Sequence, residues 1–293
     1  MASSLSHNLN EWVKIFKFRV VLLMVLTAWT GMLLAPSTNG NALSMTMSLL
    51  GIGLIACASG ACNHLFESMR DKHMQRTQPR PLVQGTLTPF EVVSGILLFT
   101  VLGSFVLVHY ANTLTYVLTL MTMFGYSIVY TLWLKPRTPQ NIVIGGFFGA
   151  CPPLLGWCAM TQSIDAAPLI LVLIVFSWTP PHFWALALAR KSDYDAANLP
   201  MYPNFYGDAM TRYHMWLYTV QLIAVSQLPY FIGLGDVIYL AGANALNIYF
   251  GLWVYRLWKQ PDSTDPMDIF FASIYYLFVL FAILIIEHIC TSL

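Results

Sequence analysis

The segment "ACNHLFESMRDKHMQRTQPRPL", residues 61–82, directly follows a run of apolar residues, yet it carries four of the chain's 14 lysines and arginines. Within it, Asn63, Glu67 and Asp71 recur at every fourth position. On a helix this spacing places the three side chains in one stripe, spread over about 12 Å of rise. Carboxylate and amide oxygens suit a hard cation such as Mg2+. The segment therefore predicts a magnesium site at the end of an apolar helix.

The composition of the whole chain indicates an integral membrane protein. Hydrophobic residues make up 57% of the 293 residues and charged residues only 9%, whereas soluble domains carry about 25% charged residues. The net charge of +1 gives no indication of nucleic-acid binding, and we expect no nucleic-acid partner. The five cysteines form no CxxC pair and no zinc-type spacing, so we interpret them as small hydrophobic residues.

Nine apolar segments are long enough to cross a bilayer as helices, in which every backbone polar group is satisfied internally. They span residues 20–36, 43–62, 89–109, 113–133, 141–161, 166–188, 213–233, 237–257 and 268–288. Residues 8–17 precede them, and their apolar side chains share one helical face, which predicts a short interfacial helix. The sequence thus predicts one all-α domain over residues 1–293, a nine-helix bundle (20–288) around a central cavity.

The basic residues predict the orientation of these spans. All 14 lysines and arginines fall before the first span, in the loops on the same side of the membrane, or, for Arg256, at the end of the eighth segment on that side. The positive-inside rule therefore places the N-terminus in the cytoplasm. Lys14, Lys17 and Arg19 lead directly into the first apolar run, without a cleavable signal or a transit peptide, which favours a multi-pass protein of a bacterial inner membrane.

Two further charged segments lie on this predicted cytoplasmic side. They are "YTLWLKPRTPQN", residues 130–141, and "WTPPHFWALALARKSDYDAANLPMYP", residues 178–203. Their cationic side chains match phosphate oxygens. Such charges can also simply fix topology or extend towards the interface, but carboxylates near a membrane are costly without a partner. Together the three segments predict a diphosphate site above an apolar cavity.

Aromatic side chains could line that cavity and hold a ligand with a long hydrocarbon tail. Aromatic faces also stabilise cations, although Trp and Tyr gather at membrane interfaces without any such role. The candidates are Phe66, Tyr126, Tyr130, Trp157, Trp178, Phe183 and Trp184.

The charged segments resemble those of the UbiA-type intramembrane prenyltransferases, and within that superfamily the branch that farnesylates haem. The matching stretches are "NHLFESMRDKHMQRTQPRPL", "YTLWLKPRTPQNIVIGGFFGACPPLLGW" and "PPHFWALALARKSDYDAANLPMYP". The likeness extends from the first apolar segment to the ninth. It implies nine transmembrane helices and two acidic motifs that bind a Mg2+-diphosphate.

The resemblance assigns roles to individual positions. Asn63, Glu67 and Asp71 fall on the first acidic motif, with Glu67 in place of the commoner Asp, and Asp193 falls on the last acid of the second motif. These four are the implied Mg2+ ligands. His182 stands where many relatives have an acid, and because imidazole is a poor Mg2+ ligand, a symmetrical two-metal site is in doubt. The other implied substrate-binding positions are Lys72, Arg76, Lys135, Arg137, Arg190, Lys191 and Tyr194.

The implied reaction transfers farnesyl from farnesyl diphosphate to the 2-vinyl group of haem B, with addition of water, giving haem O. The implied partners are the lipid bilayer and haem-handling or terminal-oxidase assembly proteins. His182 could bind haem iron, steer the water, or serve as a structural partner for carbonyls freed where Pro180 and Pro181 interrupt the sixth span. A prenyltransferase for a quinone precursor is an alternative. A transporter is another, although transporter sites lie near the midplane.

Overall fold

The computed structural model describes residues 2–36 and 41–292, and in those ranges every regular element is a helix. Side chains are described in residues 9–36 and 41–291. The α-helices are α1 Ala2–Ile15, α2 Phe18–Leu34, α3 Ala42–Asp71, α4 Pro81–Gln84, α5 Pro89–Tyr110, α6 Thr113–Phe124, α7 Asn141–Ala150, α8 Pro152–Thr161, α9 Ala166–Ala189, α10 Lys191–Ala196, α11 Tyr202–Tyr206, α12 Asp208–Val225, α13 Leu228–Phe231, α14 Val237–Lys259 and α15 Pro266–Ser292. A π-helix, Gly125–Leu134, continues α6, and a 3₁₀ turn covers Pro261–Ser263.

The all-α membrane fold is confirmed, whereas the number of spans and their orientation stay predictions. Seven helical segments in the described ranges are long and apolar enough to cross a membrane, and the pair α1–α2, bent by 56°, would make eight. The nine predicted apolar segments lie mainly on helices, although segment 141–161 is divided between α7 and α8 and segment 213–233 between α12 and the short α13. Helix α12 is not among the seven, because Asp208, Arg212 and Gln221 make its sequence less apolar.

The N-terminal helix differs from the predicted segment 8–17, because α1 ends at Ile15 and a left-handed residue, Lys17, separates it from α2. Within the predicted apolar face, Phe16 is buried and stacks on Phe99 with ring centroids 4.1 Å apart, whereas Leu9 and Val13 are 66% and 43% exposed. A location of this helix in the membrane interface remains a prediction.

Helix α9 is continuous through Pro180 and Pro181, so the predicted interruption of the sixth span is wrong. Neighbouring helices allow proline inside a membrane helix, because packing keeps the segment helical while two amide donors are missing. The imidazole of His182 does not pair with a freed carbonyl through Nδ1. That nitrogen is 2.7 Å from the hydroxyl of Ser273 on α15.

The helices pack around a central cavity of about 860 Å³. Close packing of α2 on α8 closes one side of the bundle, because Gly31 lies against the backbone of Pro153 and Gly156 against that of Ala28. A Cβ at either glycine would overlap a carbonyl oxygen, so the small residues let the two backbones approach. The walls of the cavity come from α2, α3, α6 with the π-helix, α7, α9 and α15.

The π-helix positions the side chains that face α3. Its backbone bonds join residues five apart, as in the 2.9 Å bond from the amide of Lys135 to the carbonyl of Tyr130. A wider turn brings residues four and five apart to the same side, and the rings of Tyr126 and Tyr130 lie 5.3 Å apart. Thr131 follows Tyr130 directly and also faces α3, where it contacts Asn63. The sequence predicted only a regular span here.

Candidate active site

The stripe on α3 is buried at the end of the helix that precedes the loop to α4. Asn63, Glu67 and Asp71 are 2%, 3% and 0% exposed. The amide nitrogen of Asn63 donates to the hydroxyl of Thr131 on the π-helix at 3.2 Å. Because the spacing of four residues keeps the three side chains on one side of α3, all of them point into the protein rather than to its surface.

Each member of the stripe contacts a cation from a different part of the chain. Lys17, from the break between α1 and α2, donates to the carboxamide oxygen of Asn63. Lys135 pairs with Glu67 and Arg80 with Asp71, while Arg80 also lies 3.6 Å from Glu67. Buried charges are stable only when they are paired and hydrogen-bonded. These six residues, called the acid–cation cluster below, form one electrostatic unit: Lys17, Asn63, Glu67, Asp71, Arg80 and Lys135.

The cluster offers oxygen ligands but not a complete metal site. In residues 9–36 and 41–291, no group of three His, Cys, Asp or Glu side chains is placed to hold a metal ion. One oxygen of Asp71, Oδ1, is buried without a hydrogen-bond partner. Mg2+ is commonly held by one or two carboxylates while substrate phosphates and waters complete its shell. The residues present therefore fit a Mg2+ ion that arrives with a diphosphate.

Asp193 binds the loop between α3 and α4. Its two carboxylate oxygens accept the backbone N–H groups of Gln75 and Arg76, each at 3.3 Å. This contact joins the third charged segment to the first, and it accounts for the burial of an acid that is only 9% exposed. Asp193 therefore holds the loop that carries Arg80 back towards α3.

The other predicted basic residues lie around the cluster rather than inside it. Lys72, Arg76 and Arg190 are exposed. The guanidinium of Arg137 donates to carbonyls at the end of its own helix, at 3.1 and 3.4 Å, and Lys191 pairs with Asp208 at 2.7 Å on the surface. The neighbouring Tyr194 is 2% exposed.

The apolar cavity begins one helical turn from the cluster. Ser59 and Gly60, which precede Asn63 on α3, line it, and so does Lys17. Four of the seven predicted aromatic residues belong to the lining, namely Tyr126, Tyr130, Trp178 and Phe183. Trp157 and Trp184 pack in the core instead, and Phe66 lies outside the cavity lining.

His182 lies in the cavity wall, away from the acid–cation cluster. Its ring stacks between Trp178 and Phe270, with centroids 4.1 and 4.5 Å away. The hydrogen bond between Nδ1 and Ser273, at 2.7 Å, fixes the orientation of the ring. A buried imidazole held in this way presents Nε2 as its second coordinating atom.

The sequence did not identify Lys17 as a site residue, because Lys17 was counted only among the charges that set the orientation. Arg80 was named with Lys72 and Arg76 as a cation that matches phosphate oxygens, but its pairing with Asp71 was not predicted. The contact from Lys17 to Asn63 joins residues 46 positions apart, which spacing along one helix cannot reveal. For Arg80, the nine residues back to Asp71 cross a loop whose path depends on Asp193.

Comparison with known proteins gives a consistent result. The model of the UbiA prenyltransferase family matches residues 24–282. The chain is 46% identical over 283 residues to protoheme IX farnesyltransferase 2 of Pseudoalteromonas translucida, covering 96% of this chain and 92% of that protein. It is 48% identical over 279 residues to protoheme IX farnesyltransferase of Alkalilimnicola ehrlichii, covering 95% and 92%.

Solved structures share the fold at much lower identity. A digeranylgeranylglyceryl phosphate synthase superposes with a TM-score of 0.77 at 16% identity, covering 97% of this chain and 99% of that one. A UbiA homologue from Archaeoglobus fulgidus, bound to GPP and Mg2+, superposes with a TM-score of 0.69 at 14% identity, covering 94% and 99%. With the family match across most of its length and relatives above 40% identity, the chain belongs to the UbiA prenyltransferase family.

Proposed function

We propose that this protein transfers the farnesyl group of farnesyl diphosphate to the 2-vinyl group of haem B, with addition of water, giving haem O and diphosphate. Relatives that carry the name protoheme IX farnesyltransferase and align over 95% or more of this chain support the choice of both substrates. A prenyltransferase for an aromatic quinone precursor would need a different acceptor site in the same fold.

The observation that carries the proposal is the junction between a charged cluster and a large apolar cavity. Lys17 belongs to both, because it contacts Asn63 and lines the cavity. A farnesyl diphosphate molecule has the same division, with a diphosphate head and a hydrocarbon tail. The head would occupy the acid–cation cluster and the tail the cavity of about 860 Å³.

Ionisation of the allylic C1–O bond is the step that the cluster would assist. The electron pair of that bond leaves with the diphosphate, so negative charge grows on the leaving group. Lys135 is buried, Arg80 is 16% exposed, and their pairs with Glu67 and Asp71 already orient both side chains. Preorganised charges of this kind act most strongly in the transition state. Mg2+, which Asn63, Glu67 and Asp71 would hold, with Asp193 as a ligand of a second ion, would add charge neutralisation at the diphosphate.

The cavity would protect the cationic carbon and present it to the acceptor. The faces of Tyr126 and Tyr130, next to the cluster, stabilise positive charge on the allylic group. The vinyl π electrons of haem B form the new C–C bond to C1, and the cation moves to the carbon beside the porphyrin ring. Water then adds there and loses a proton, which leaves a hydroxyl group. His182 in the cavity wall would contact the acceptor, either at its iron or through this water.

The proposal also covers the domain, the membrane topology, the location and the partners of the protein. Residues 1–293 form one domain with nine spans, the N-terminus is cytoplasmic, and the protein resides in a bacterial inner membrane. Both substrates are poorly soluble in water, so entry from the bilayer fits their chemistry. Proteins that deliver haem or assemble terminal oxidases would take part at the membrane surface. The peripheral residues Lys72, Arg76, Arg137, Arg190 and Lys191 would guide the diphosphate to the cluster, and the buried Tyr194 would contribute to binding from inside the protein.

A single assay tests the function. The purified protein in lipid nanodiscs is incubated with haem B, farnesyl diphosphate and Mg2+, and products are analysed by mass spectrometry. We expect the mass of haem O, and about a hundredfold less of it, or lower still, from the Asp71→Asn variant at equal protein concentration. A parallel reaction replaces haem B by an aromatic quinone precursor. Prenylation of that acceptor, without any product from haem B, would show that the proposed acceptor is wrong.

A further inference from the structure

Lys17 is held in the site by an unusual backbone. Its φ and ψ are 50° and 42°, in the left-handed region that side-chain-bearing residues rarely adopt. The bend between α1 and α2 passes close to α3 at Gly60, where an added Cβ would lie 3.2 Å from the carbonyl oxygen of Phe16. A strained conformation persists only where its surroundings impose it. The fold thus turns the chain at Lys17 and brings this side chain onto α3.

Lys17 differs in position from the other two cations of the cluster. Its ammonium group contacts Asn63, and Lys17 is the one of the three cations that lines the cavity. The ammonium groups of Lys17 and Lys135 each lie 6.0 Å from a tyrosine ring, that of Tyr126 and that of Tyr130 respectively. Lys135 and Arg80 pair with Glu67 and Asp71 instead. Glu67 and Asp71 are one and two turns farther from the cavity along α3, about 6 and 12 Å of rise from Asn63.

This order along α3 matches the order of groups in a prenyl diphosphate. With the tail in the cavity, the α-phosphate, which carries the ester oxygen to C1, is nearest to the cavity edge, and the β-phosphate is farther along α3. We propose that Lys17 binds the α-phosphate and neutralises the ester oxygen as it takes the electron pair of the C1–O bond. In this arrangement Arg80 binds the β-phosphate. This inference rests on the proposed function only in the placement of tail and head.

A comparison of two phosphate ligands tests the assignment without haem. The full-length protein in nanodiscs is loaded with radiolabelled farnesyl diphosphate and Mg2+, and farnesyl monophosphate or inorganic pyrophosphate is used to displace it. The Lys17→Met variant should bind farnesyl monophosphate at least about tenfold more weakly, comparable to the loss of one charge-assisted contact. The Arg80→Met variant should lose affinity for pyrophosphate and much less for farnesyl monophosphate.

Catalysis provides the second measurement. In a single turnover, Lys17→Met should slow consumption of bound farnesyl diphosphate by about a hundredfold, as expected when one preorganised donor to a leaving group is lost. Lys17→Arg should recover part of the rate because the positive charge is kept. The matched control is Lys14→Met, one turn earlier, since Lys14 is 54% exposed and pairs with Glu11 at 2.6 Å. That variant should retain the rate and both affinities.

The result that would overturn the inference is unchanged farnesyl monophosphate affinity in Lys17→Met, or equal losses in Lys17→Met and Arg80→Met for both ligands. If Lys17→Met does not fold, Lys17→Gln replaces it, because the amide keeps a donor to Asn63 while the charge is lost. The displacement assay does not use the acceptor. Failure of the wild-type protein to make haem O would therefore contradict the proposed function and leave the assignment of Lys17 to be decided by the displacement result.

Discussion

Lys135, just after the end of the π-helix, pairs with Glu67, which lies 68 positions earlier on α3. Both side chains are nearly inaccessible to solvent, at 10% and 4% exposed. Removing one member of such a pair leaves an uncompensated buried charge, which is strongly unfavourable. Thr131 fixes Asn63 on the same two helices. The π-helix and α3 are therefore joined by polar contacts at the level where the diphosphate would bind.

Substitutions of the two acids of the α3 stripe, Asp71 and Glu67, should have different effects on turnover. Asp71→Asn removes a charge and little volume, so the protein should insert normally while turnover falls by about a hundredfold or more. Glu67→Asp should retain appreciable activity, because it keeps the carboxylate. Initial rates of haem O formation measure both. Glu91→Gln is the control, since Glu91 only caps α5 with Thr88. Normal turnover by Asp71→Asn would show that the metal assignment is wrong.

Substitution of Asp193 should distinguish two roles of its carboxylate, loop anchor and metal ligand. Asp193→Asn weakens the contacts to the amides of Gln75 and Arg76, so hydrogen exchange in residues 72–80 should increase even without Mg2+. If the carboxylate also binds a second metal, the Mg2+ concentration needed for half-maximal rate should rise as well. Asp195→Asn, on the same short helix, is the control. Unchanged exchange and an unchanged Mg2+ requirement would contradict both roles.

His182→Ala should reduce the affinity for haem B while farnesyl diphosphate still binds, because the imidazole lies in the cavity wall and not in the acid–cation cluster. Separate titrations with the two substrates, by absorbance for haem and by displacement for farnesyl diphosphate, measure this. Weaker binding of farnesyl diphosphate with a greater need for Mg2+ would instead identify His182 as part of the metal site.

The variant Ser273→Ala is the matched control for His182. It removes the hydrogen bond at Nδ1 but leaves the ring, so it should lower haem affinity less than His182→Ala. A purely structural His182 predicts a different pattern, namely lower thermal stability in both variants with unchanged affinity for both substrates.

Side chains larger than glycine at position 149 should shorten the prenyl chain that the cavity accepts. It lines the cavity, and a Cβ added there would meet no atom within 4 Å. The series Gly149→Ala, Val and Leu therefore fills space without backbone strain. Gly149→Leu adds four carbon atoms, and one methylene group in a hydrophobic pocket already changes specificity by about tenfold or more. Use of farnesyl diphosphate should therefore fall by at least about tenfold, while geranyl diphosphate should lose less. Gly251→Ala, outside the cavity lining, is the control. Equal losses for both substrates would place the tail elsewhere.

Labelling of cysteines should report the orientation. Thr38 and Leu293 belong to predicted outward-facing segments but lie outside the described residues. Gln162 and the native Cys290 are therefore the labelling positions for the outer side of the membrane. A membrane-impermeant thiol reagent added to intact spheroplasts should label exposed Cys290. In a Cys290→Ser background it should label Gln162→Cys, but Gln78→Cys only after the membrane is disrupted. Labelling at position 78 in sealed spheroplasts would contradict a cytoplasmic N-terminus.

The sequence alone determined the features that depend on short-range spacing. Apolar runs of about 20 residues have few structural alternatives in a membrane, because a helix satisfies its own backbone hydrogen bonds. The recurrence of Asn63, Glu67 and Asp71 at every fourth position fixed their common face, since helix geometry requires it. The family resemblance rested on the same charged segments, and the family comparison confirmed it.

Only the tertiary structure decided which cations meet these acids and which surround them. Lys17 and Lys135 are 46 and 68 positions from their partners, and His182 is 91 positions from Ser273. Such contacts depend on how helices pack and on the path of the loop held by Asp193, and no local periodicity records either. Helix α9 remained continuous through Pro180 and Pro181, and α6 widened into a π-helix. In both cases the packing of neighbouring helices outweighed the local preference of the backbone.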